Sequence, residues 1–387
     1  MVGQKALAMR SQSRTELDNL FRQSVAIQKL KEGARYVFVS DKNGTIQKFS
    51  APVEEPPEGE VRAGHEFRRR LERHLFIECS AQVIELSIDA RAYWLSRKMG
   101  LSRGQPRILL PNGTYTNDPA EVRGWEYLNN PDVFLGFGSG NYYAHEGAYF
   151  TDLEYEQLLG GKRWRPQALH RLNSWYKGSR YREFFSKVDK GHGDVDELDS
   201  RIEFKHANKK EAEFLRLGIS HMQVRGFDAV WVDESEPGRL YTTYMTPQYA
   251  QKPFMLARCC NTLSYYSGIP REELKLIYVG DQGHDAEAAI KTGALFIVPG
   301  GSPLVERIET NGTSTDDDWG YALPGGPQDP DPDYRGFYWP TKVPGVYQWR
   351  GPHHKEVEVI LAERTEWARG LDCTESVLAC IDHLGFK

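Results

Sequence analysis

Three apolar runs in this chain end in side chains suited to phosphate or metal chemistry. Tyr36-Val37-Phe38-Val39 leads into Ser40-Asp41-Lys42-Asn43-Gly44-Thr45. Leu276–Val279 leads into Gly280-Asp281-Gln282-Gly283-His284-Asp285, and Val83-Ile84-Glu85-Leu86 is closed by Ser87. A lysine, Lys252, precedes the helical stretch that leads to the Asp281 run. In an open parallel sheet, ligands bind beyond the carboxyl ends of the strands. Two or three carboxylates at one such rim hold a hard dication such as Mg²⁺ through oxygen. A carboxylate there can also attack phosphorus to give an aspartyl phosphate. The lysine and the hydroxyl would balance phosphate charge, and Gly44 would let the backbone approach an oxygen closely.

The surrounding pattern supplies strands and helices to position those residues. Leu17, Leu20, Phe21, Val25 and Leu30 recur at helical spacing, and Gly33 stands where the helix should stop. After the first strand come a Glu- and Pro-rich loop over Pro52–Glu60 and a charged helix around Glu66–His74. The strand Val83–Leu86, a helix over Ala90–Lys98 and a strand over Val133–Phe137 follow. Apolar strands alternating with helices predict a parallel sheet covered on both faces. From about residue 150 the character changes. Aromatic and basic residues thicken, and the strand-like pieces Arg201–Lys205, Ala229–Val232 and Leu240–Tyr244 flank a helix over Lys209–Leu217. These pieces alternate more, as in a sheet buried on one face. The parallel pattern resumes with the helix Pro253–Tyr266, the strand Leu276–Val279, the helix Ala286–Lys291 and the strand Leu295–Val298. The expected fold class is therefore α/β, a Rossmann-like parallel core with an inserted α+β module. Its parts are residues 1–150, the insertion 151–245, and 246–387 with a Gly/Pro/Asp-rich loop over 310–345 and a helical tail over 354–368 and 375–383.

The 387 residues exceed the usual size of a single core, in keeping with an insertion. With 40% apolar residues the chain can bury a core, which excludes a disordered chain. Forty-nine basic against 54 acidic residues leave no basic excess, so neither nucleic acid nor a membrane surface is an expected partner. No apolar stretch has the length of a membrane span, and Met1–Arg14 holds no signal-like apolar block. Five cysteines without metal-type pairing argue against a disulfide framework. The expected setting is soluble and cytoplasmic.

Taken in order, the motifs resemble those of the haloacid-dehalogenase-like (HAD) phosphatases. Asp41-Lys42-Asn43-Gly44-Thr45 is similar to the first motif, where Asp-x-Asp-Gly-Thr is usual. Ser87 matches the second motif's Ser or Thr, and Arg91 lies near the place of a Thr-Gly-Arg arginine in sugar phosphatases. Thr246-Pro247 with Lys252-Pro253 resembles the third motif of the Cof-type and sucrose-phosphatase-like branch, and Gly280-Asp281-x-x-x-Asp285 the fourth. The resemblance spans roughly residues 34–310. It implies a C2-type cap over the insertion, Mg²⁺ as cofactor and a small phosphorylated metabolite, a sugar phosphate or glycoside phosphate, as substrate. By the same resemblance Asp41 is the nucleophile and a metal ligand, Asp281 a second ligand, and Asp285 a ligand or the holder of metal-bound water. Ser87 and Lys252 would hold the phosphoryl oxygens. Gly44, Thr45, Arg91, Ser139 and Asn141 are the expected substrate contacts.

One position departs from the family pattern. Where the second aspartate would act as general acid and base, this chain has Asn43. An amide exchanges no proton near neutral pH, and losing such help is typically worth ~10²–10⁴ in rate. Its backbone carbonyl still suits a metal. Three readings compete: a phosphatase altered so as to trap a bound form, a native enzyme whose proton comes from His284 or a cap residue, or a relative that binds a phosphorylated ligand without turnover. A phosphotransferase is a further option, because Asp-Lys-x-Gly-Thr also resembles the phosphorylation motif of P-type ATPases, where the aspartyl phosphate persists.

Plainer readings exist for each residue. Asp41 before Asn-Gly fits a turn, Asp285 fits a helix cap, Ser87 fits local hydrogen bonding, and Lys252 or Arg91 fits an exposed surface. Gly138-Ser139-Gly140 lacks the spacing of a phosphate loop and reads as a tight strand exit. The ordered set, rather than any member, favours function.

Overall fold

The structure is a computed structural model that describes residues 14–15, 17–41, 45, 69–71, 73–80, 108–109, 115–116, 131–136, 140–145, 148–159, 202–206, 229–233, 241–246, 248–312, 323–329, 332–352, 355–371 and 373–386. In chain order the elements are α1 (Val25–Lys31), β1 (Tyr36–Asp41), β2 (Leu75–Ser80), β3 (Ile108–Leu109), β4 (Tyr115–Thr116), β5 (Val133–Gly136), β6 (Gly140–His145), β7 (Ala148–Thr151) and α2 (Leu153–Leu158). There follow β8 (Ile202–His206), β9 (Ala229–Asp233), β10 (Tyr241–Thr246), α3 (Lys252–Ser267), β11 (Lys275–Val279), α4 (Gly283–Thr292), β12 (Leu295–Val298) and α5 (Leu304–Glu309). The chain closes with β13 (Phe337–Pro340), β14 (Val346–Arg350), β15 (Val357–Leu361) and α6 (Cys373–His383).

A ten-stranded sheet runs in the order β13-β14-β15-β12-β11-β1-β2-β5-β6-β7. Its middle, from β15 through β12, β11, β1 and β2 to β5, is parallel throughout. Antiparallel strands extend it at both ends. Successive residues of the parallel strands face opposite sides and are buried on both. Val37, Val39, Tyr278, Phe296 and Val298 join α1, α3 and α4 in one apolar layer. Phe38, Ile277, Val279 and Ile297 join Val377, Cys380 and Ile381 of α6 in the other. This is the α/β core that the apolar strand runs imply. Among the described residues, no helix is long and apolar enough to cross a membrane.

A separate antiparallel sheet, β8-β10-β9, lies within the stretch where alternating strands were expected. The expected helices Ala90–Lys98 and Lys209–Leu217 lie outside the described residues.

Three expectations need correction. The strand beside β1 is Leu75–Ser80, paired through Asp41↔Cys79, just past the charged helix expected around Glu66–His74 and in a stretch where no strand was expected. Val83–Leu86 lies outside the described residues. Buried Glu78 and Cys79 break the aliphatic look of β2, which is why Val83–Leu86 appears the better strand. Second, His354–Ala368 does not form the expected helix: β15 occupies Val357–Leu361 and pairs parallel with β12. Its burial on both faces supplies the apolar density that reads as helical. Third, the loop over 310–345 contains β13. Its Gly-Pro stretch packs on the fully buried Trp349, whose indole N–H donates to the Gly325 carbonyl at 2.7 Å. Gly325 has φ +70°, and a side chain there would meet Ile290 and the indole. The glycines therefore serve packing as well as turning.

Candidate active site

The carboxyl ends of β1 and β11 lie side by side, because these strands are hydrogen-bonded neighbours in parallel register, with Ser40↔Val279 as the last pair. Asp41 is the final residue of β1, and Asp281 follows β11 by two. Asp285 sits in the first turn of α4, where it forms a capping box with Gln282. Its Oδ2 accepts the Gln282 N–H at 3.1 Å. The fold thus gathers three acidic residues at one rim by strand order and helix capping together.

Lys252 opens α3, with Pro253 in the first turn, and its side chain is almost wholly buried. Its ammonium donates to Asp41 Oδ1 at 2.8 Å and to Asp285 Oδ1 at 2.7 Å. Two contacts hold α3 in place. Asn141 Nδ2 donates to the Met255 carbonyl at 2.9 Å, and Arg258 meets buried Asp152 through Nε at 2.8 Å and Nη2 at 3.1 Å. A lysine at a helix N-terminus faces the wrong end of the dipole, so the two carboxylates account for its position.

Supporting groups surround the acids. Thr45 Oγ1 donates to Asp281 Oδ1 at 3.1 Å, and Ser302 Oγ donates to the Asp281 carbonyl at 2.7 Å. The Tyr278 hydroxyl, buried behind the rim, donates to Asp285 Oδ1 at 2.9 Å. Asp285 therefore already accepts from Tyr278, Lys252 and the Gln282 backbone.

The electrostatics divide the acids. Burial and then the charges of Asp41 and Asp285 push the Asp281 carboxyl well above the usual carboxylate range. Burial acts the same way on Asp285, but Lys252 and the hydrogen bonds from Lys252 and Tyr278 outweigh it and hold that carboxyl low. Burial works against charge on Lys252, yet Asp285 and Asp41 keep it an ammonium. Burial, reinforced by Lys252, takes the His284 imidazole down to about 3, so it is neutral. Three carboxyl groups thus share one ammonium in a poorly solvated rim, and Asp281 is the one whose charge is least well supported. At an effective dielectric of 20, two unit charges 4 Å apart interact by about 4 kcal/mol, so the group is short of positive charge by an amount that matters. A dication fits that deficit.

The sequence expectations fare unevenly here. Asp41, Asp281, Asp285 and Lys252 are brought together. Among the described residues, the donors that meet within 4.8 Å of one another are Asp41, His284 and Asp285; the expected metal set was Asp41, Asn43, Asp281 and Asp285, without His284. Thr45 and Asn141, expected to touch substrate, have their donor groups engaged with Asp281 and with the α3 backbone. Asn43, Gly44, Ser87, Arg91 and Ser139 lie outside the described residues. Tyr278 and Ser302 were missed. A hydroxyl-bearing ring within Leu276-Ile277-Tyr278-Val279 was the available sign for the first, whereas nothing near Ser302 ties it to Asp281 in sequence. Ser80 was not singled out, because no strand was expected over Leu75–Ser80. It ends β2, one residue past the partner of Asp41.

No protein-family model matches the chain, and no curated protein matches it. Among solved structures, it is similar to a haloacid dehalogenase-like hydrolase protein from Bacillus subtilis, with 12% identity, 68% of this chain and 81% of that one covered, and a TM-score of 0.38. It is also similar to a trehalose-6-phosphate phosphatase from Aspergillus fumigatus, at 11% identity over 72% of this chain and 87% of that one, TM-score 0.35. An IMP-nucleotidase from Plasmodium falciparum, truncated at its C-terminus, follows at 11% identity, 66% and 64% coverage, TM-score 0.33. Likeness at this level assigns no reaction to this chain, and the chemistry must come from its own side chains.

Proposed function

We propose that this chain is a HAD-type phosphomonoester hydrolase that depends on a divalent cation, in the first instance Mg²⁺, and acts through an aspartyl phosphate on Asp41. The observation that carries the reading is Lys252, whose single ammonium joins Asp41 to Asp285 beside Asp281 at the carboxyl rim of neighbouring parallel strands. Residues from three distant stretches of chain contribute, which a chance turn or a lone helix cap would not require.

In this mechanism a carboxylate oxygen of Asp41 attacks phosphorus in line with the ester oxygen. The new O–P bond forms as the ester P–O bond breaks, giving an acyl phosphate and an alkoxide that takes its proton from water. Water then attacks phosphorus and returns Asp41 and inorganic phosphate. Asp41, Asp281 and Asp285, with the Asn43 backbone carbonyl, would hold the dication. Bound there, it would neutralise charge on the phosphoryl oxygens. Lys252 balances the charge on Asp41 and faces the same oxygens. A serine at the end of the strand beside β1 would supply a further donor, and Ser80 holds that strand position. Tyr278 and the Gln282 backbone keep Asp285 in place, while Thr45 and Ser302 do the same for Asp281.

The separate sheet β8-β10-β9 supports reading the expected insertion, residues 151–245 between core segments 1–150 and 246–387, as a cap of C2 type, with its edges shifted. β7 keeps Thr151, and the core cluster keeps Tyr155 and Leu159, on the core side, while β10 carries the cap sheet to Thr246. Such a cap closes over substrate and excludes water. A small sugar phosphate or phosphorylated glycoside is the proposed substrate, and the cytoplasm the proposed location.

Asn43 favours a second reading, in which the same rim binds a phosphorylated ligand with slow turnover or passes the group to another acceptor. Release of p-nitrophenol from p-nitrophenyl phosphate, with Mg²⁺ and with chelator, tests the proposal on the natural chain and on Asn43→Asp. Dication-dependent release that is abolished by Asp41→Asn is expected. No release from either folded protein would overturn the hydrolase reading, and ligand stabilisation without product would leave the binding one.

A further inference from the structure

The three donors gathered at the rim are not all oxygen. Asp41, His284 and Asp285 each offer an atom within 4.8 Å of the other two. The His284 Nε2 lies 3.8 Å from Asp285 Oδ1, too far for a hydrogen bond and near enough to share an ion. His284 belongs to the first turn of α4, one residue before Asp285, so the capping box that fixes the carboxylate also fixes the start of the imidazole's backbone. The side chain is about one-fifth exposed, whereas Asp285 is fully enclosed. His284 is thus the most exposed of the three donors.

We propose that His284 is a ligand of the bound dication, and that the site consequently takes a borderline transition ion such as Mn²⁺ or Co²⁺ in preference to Mg²⁺. The inference rests on the dication reading above and refines it. Mg²⁺ is a hard ion served by carboxylate, carbonyl and water oxygens. Imidazole suits first-row transition ions, and their affinity for mixed nitrogen and oxygen sites rises from Mn²⁺ to Co²⁺. Two carboxylates and an imidazole converging on one point form such a mixed set. Lys252 already bridges the two carboxylates, so a donor outside that bridge lets an ion bind without displacing the ammonium from both acids.

The full chain, freed of metal by chelation, is titrated with Co²⁺ and separately with Mg²⁺ by calorimetry, beside His284→Gln and His284→Asn. Pulsed electron paramagnetic resonance of the Mn²⁺-loaded natural chain reports directly on nitrogen bound to the ion. The expected result is nitrogen modulation in the natural chain and its loss in either variant. Co²⁺ affinity should fall by about tenfold or more while Mg²⁺ affinity changes far less. Equal losses for the two ions, or an Mn²⁺ spectrum without nitrogen coupling, would overturn the inference and leave the dication reading standing. A natural chain that binds neither Co²⁺ nor Mg²⁺ would overturn both. The spectrum of the natural chain decides the matter even if the variants fail to fold.

Discussion

The Asp285 carboxylate occupies the space that a side chain on Gly280 would need. A Cβ built on Gly280 would overlap both Cβ and Cγ of Asp285 and stand 2.7 Å from its Oδ2. The glycine at the end of β11 is thus what lets the first turn of α4 fold back and deliver its acid to Lys252. Gly280→Ala should shift Asp285 off Lys252 and Tyr278. Overpacking of this kind costs about 1–3 kcal/mol, and the displaced acid should lower kcat more than it raises KM. Urea midpoints and steady-state kinetics check both. Unchanged values would mean that Asp285 has another place to stand.

Removing the ammonium is a harsher test. Lys252→Met keeps the buried stem and leaves Asp41 and Asp285 without their shared partner. Breaking a buried ion pair from one side typically costs about 3–5 kcal/mol, so the apo variant should unfold at markedly lower urea. Added dication should recover part of the loss by restoring positive charge, while phosphatase activity stays absent. Thermal melts with and without dication read the recovery, and a variant as stable as the natural chain would show that the pair contributes little.

Asp281 should behave in the opposite sense. Its carboxyl is buried against two like charges, with only the Thr45 hydroxyl donating to its side chain in the described contacts. An asparagine at this position would keep the shape and the Thr45 hydrogen bond while removing the charge. Asp281→Asn should therefore raise the apo stability by about 1 kcal/mol, roughly 1 °C in melting midpoint for a chain of this length, and blunt the stabilisation that dication brings to the natural chain. A fall in apo stability would contradict the account of a site short of positive charge.

The two candidate serines can be separated by activity. Ser80 ends the strand beside β1, whereas Ser87 lies seven positions further along the chain. Loss of one preorganised donor to a transferring group costs on the order of 10²–10³ in kcat. Ser80→Ala should show a loss of that order and Ser87→Ala should not. The reverse result would return the role to the residue that motif spacing alone selects.

How far the molecule is legible from its residues follows from how local each cause is. β1, β11 and β12 are continuous apolar runs because both their faces are buried, and such runs announce themselves. The acids at their ends are legible for the same reason, since a polar residue must stand where the run stops. Strand β2 is not legible, because Glu78 and Cys79 are buried by neighbours far away in sequence and break the aliphatic run. The tail misled in a different way. β15 joins the parallel sheet beside β12 although a long stretch of chain separates the two, and no periodicity in Val357–Leu361 reveals that partner. Tyr278 and Ser302 act through contacts that only the assembled rim creates.

The last expectation concerns acid stability away from the site. His74 stands edge-on to Tyr36 and Phe386, at ring-centroid distances of 5.7 Å and 5.9 Å. Burial first, then the nearby Lys29 ammonium, lower its pKa from the ordinary histidine value. The Lys29 Nζ is held there by the His74 carbonyl at 3.0 Å and Asp132 Oδ2 at 2.8 Å. A histidine whose folded pKa is depressed favours the fold while neutral. In the unfolded chain it takes up its proton as pH falls below about 6.5, and stability then drops until the lower folded pKa is reached. His74→Phe keeps a ring among the aromatics and removes the titration. The urea midpoint of the natural chain should therefore fall relative to the variant between pH 7 and pH 5, with the two changing in parallel above pH 7. A constant difference across that range would show that His74 takes its proton as readily in the fold as in the unfolded chain.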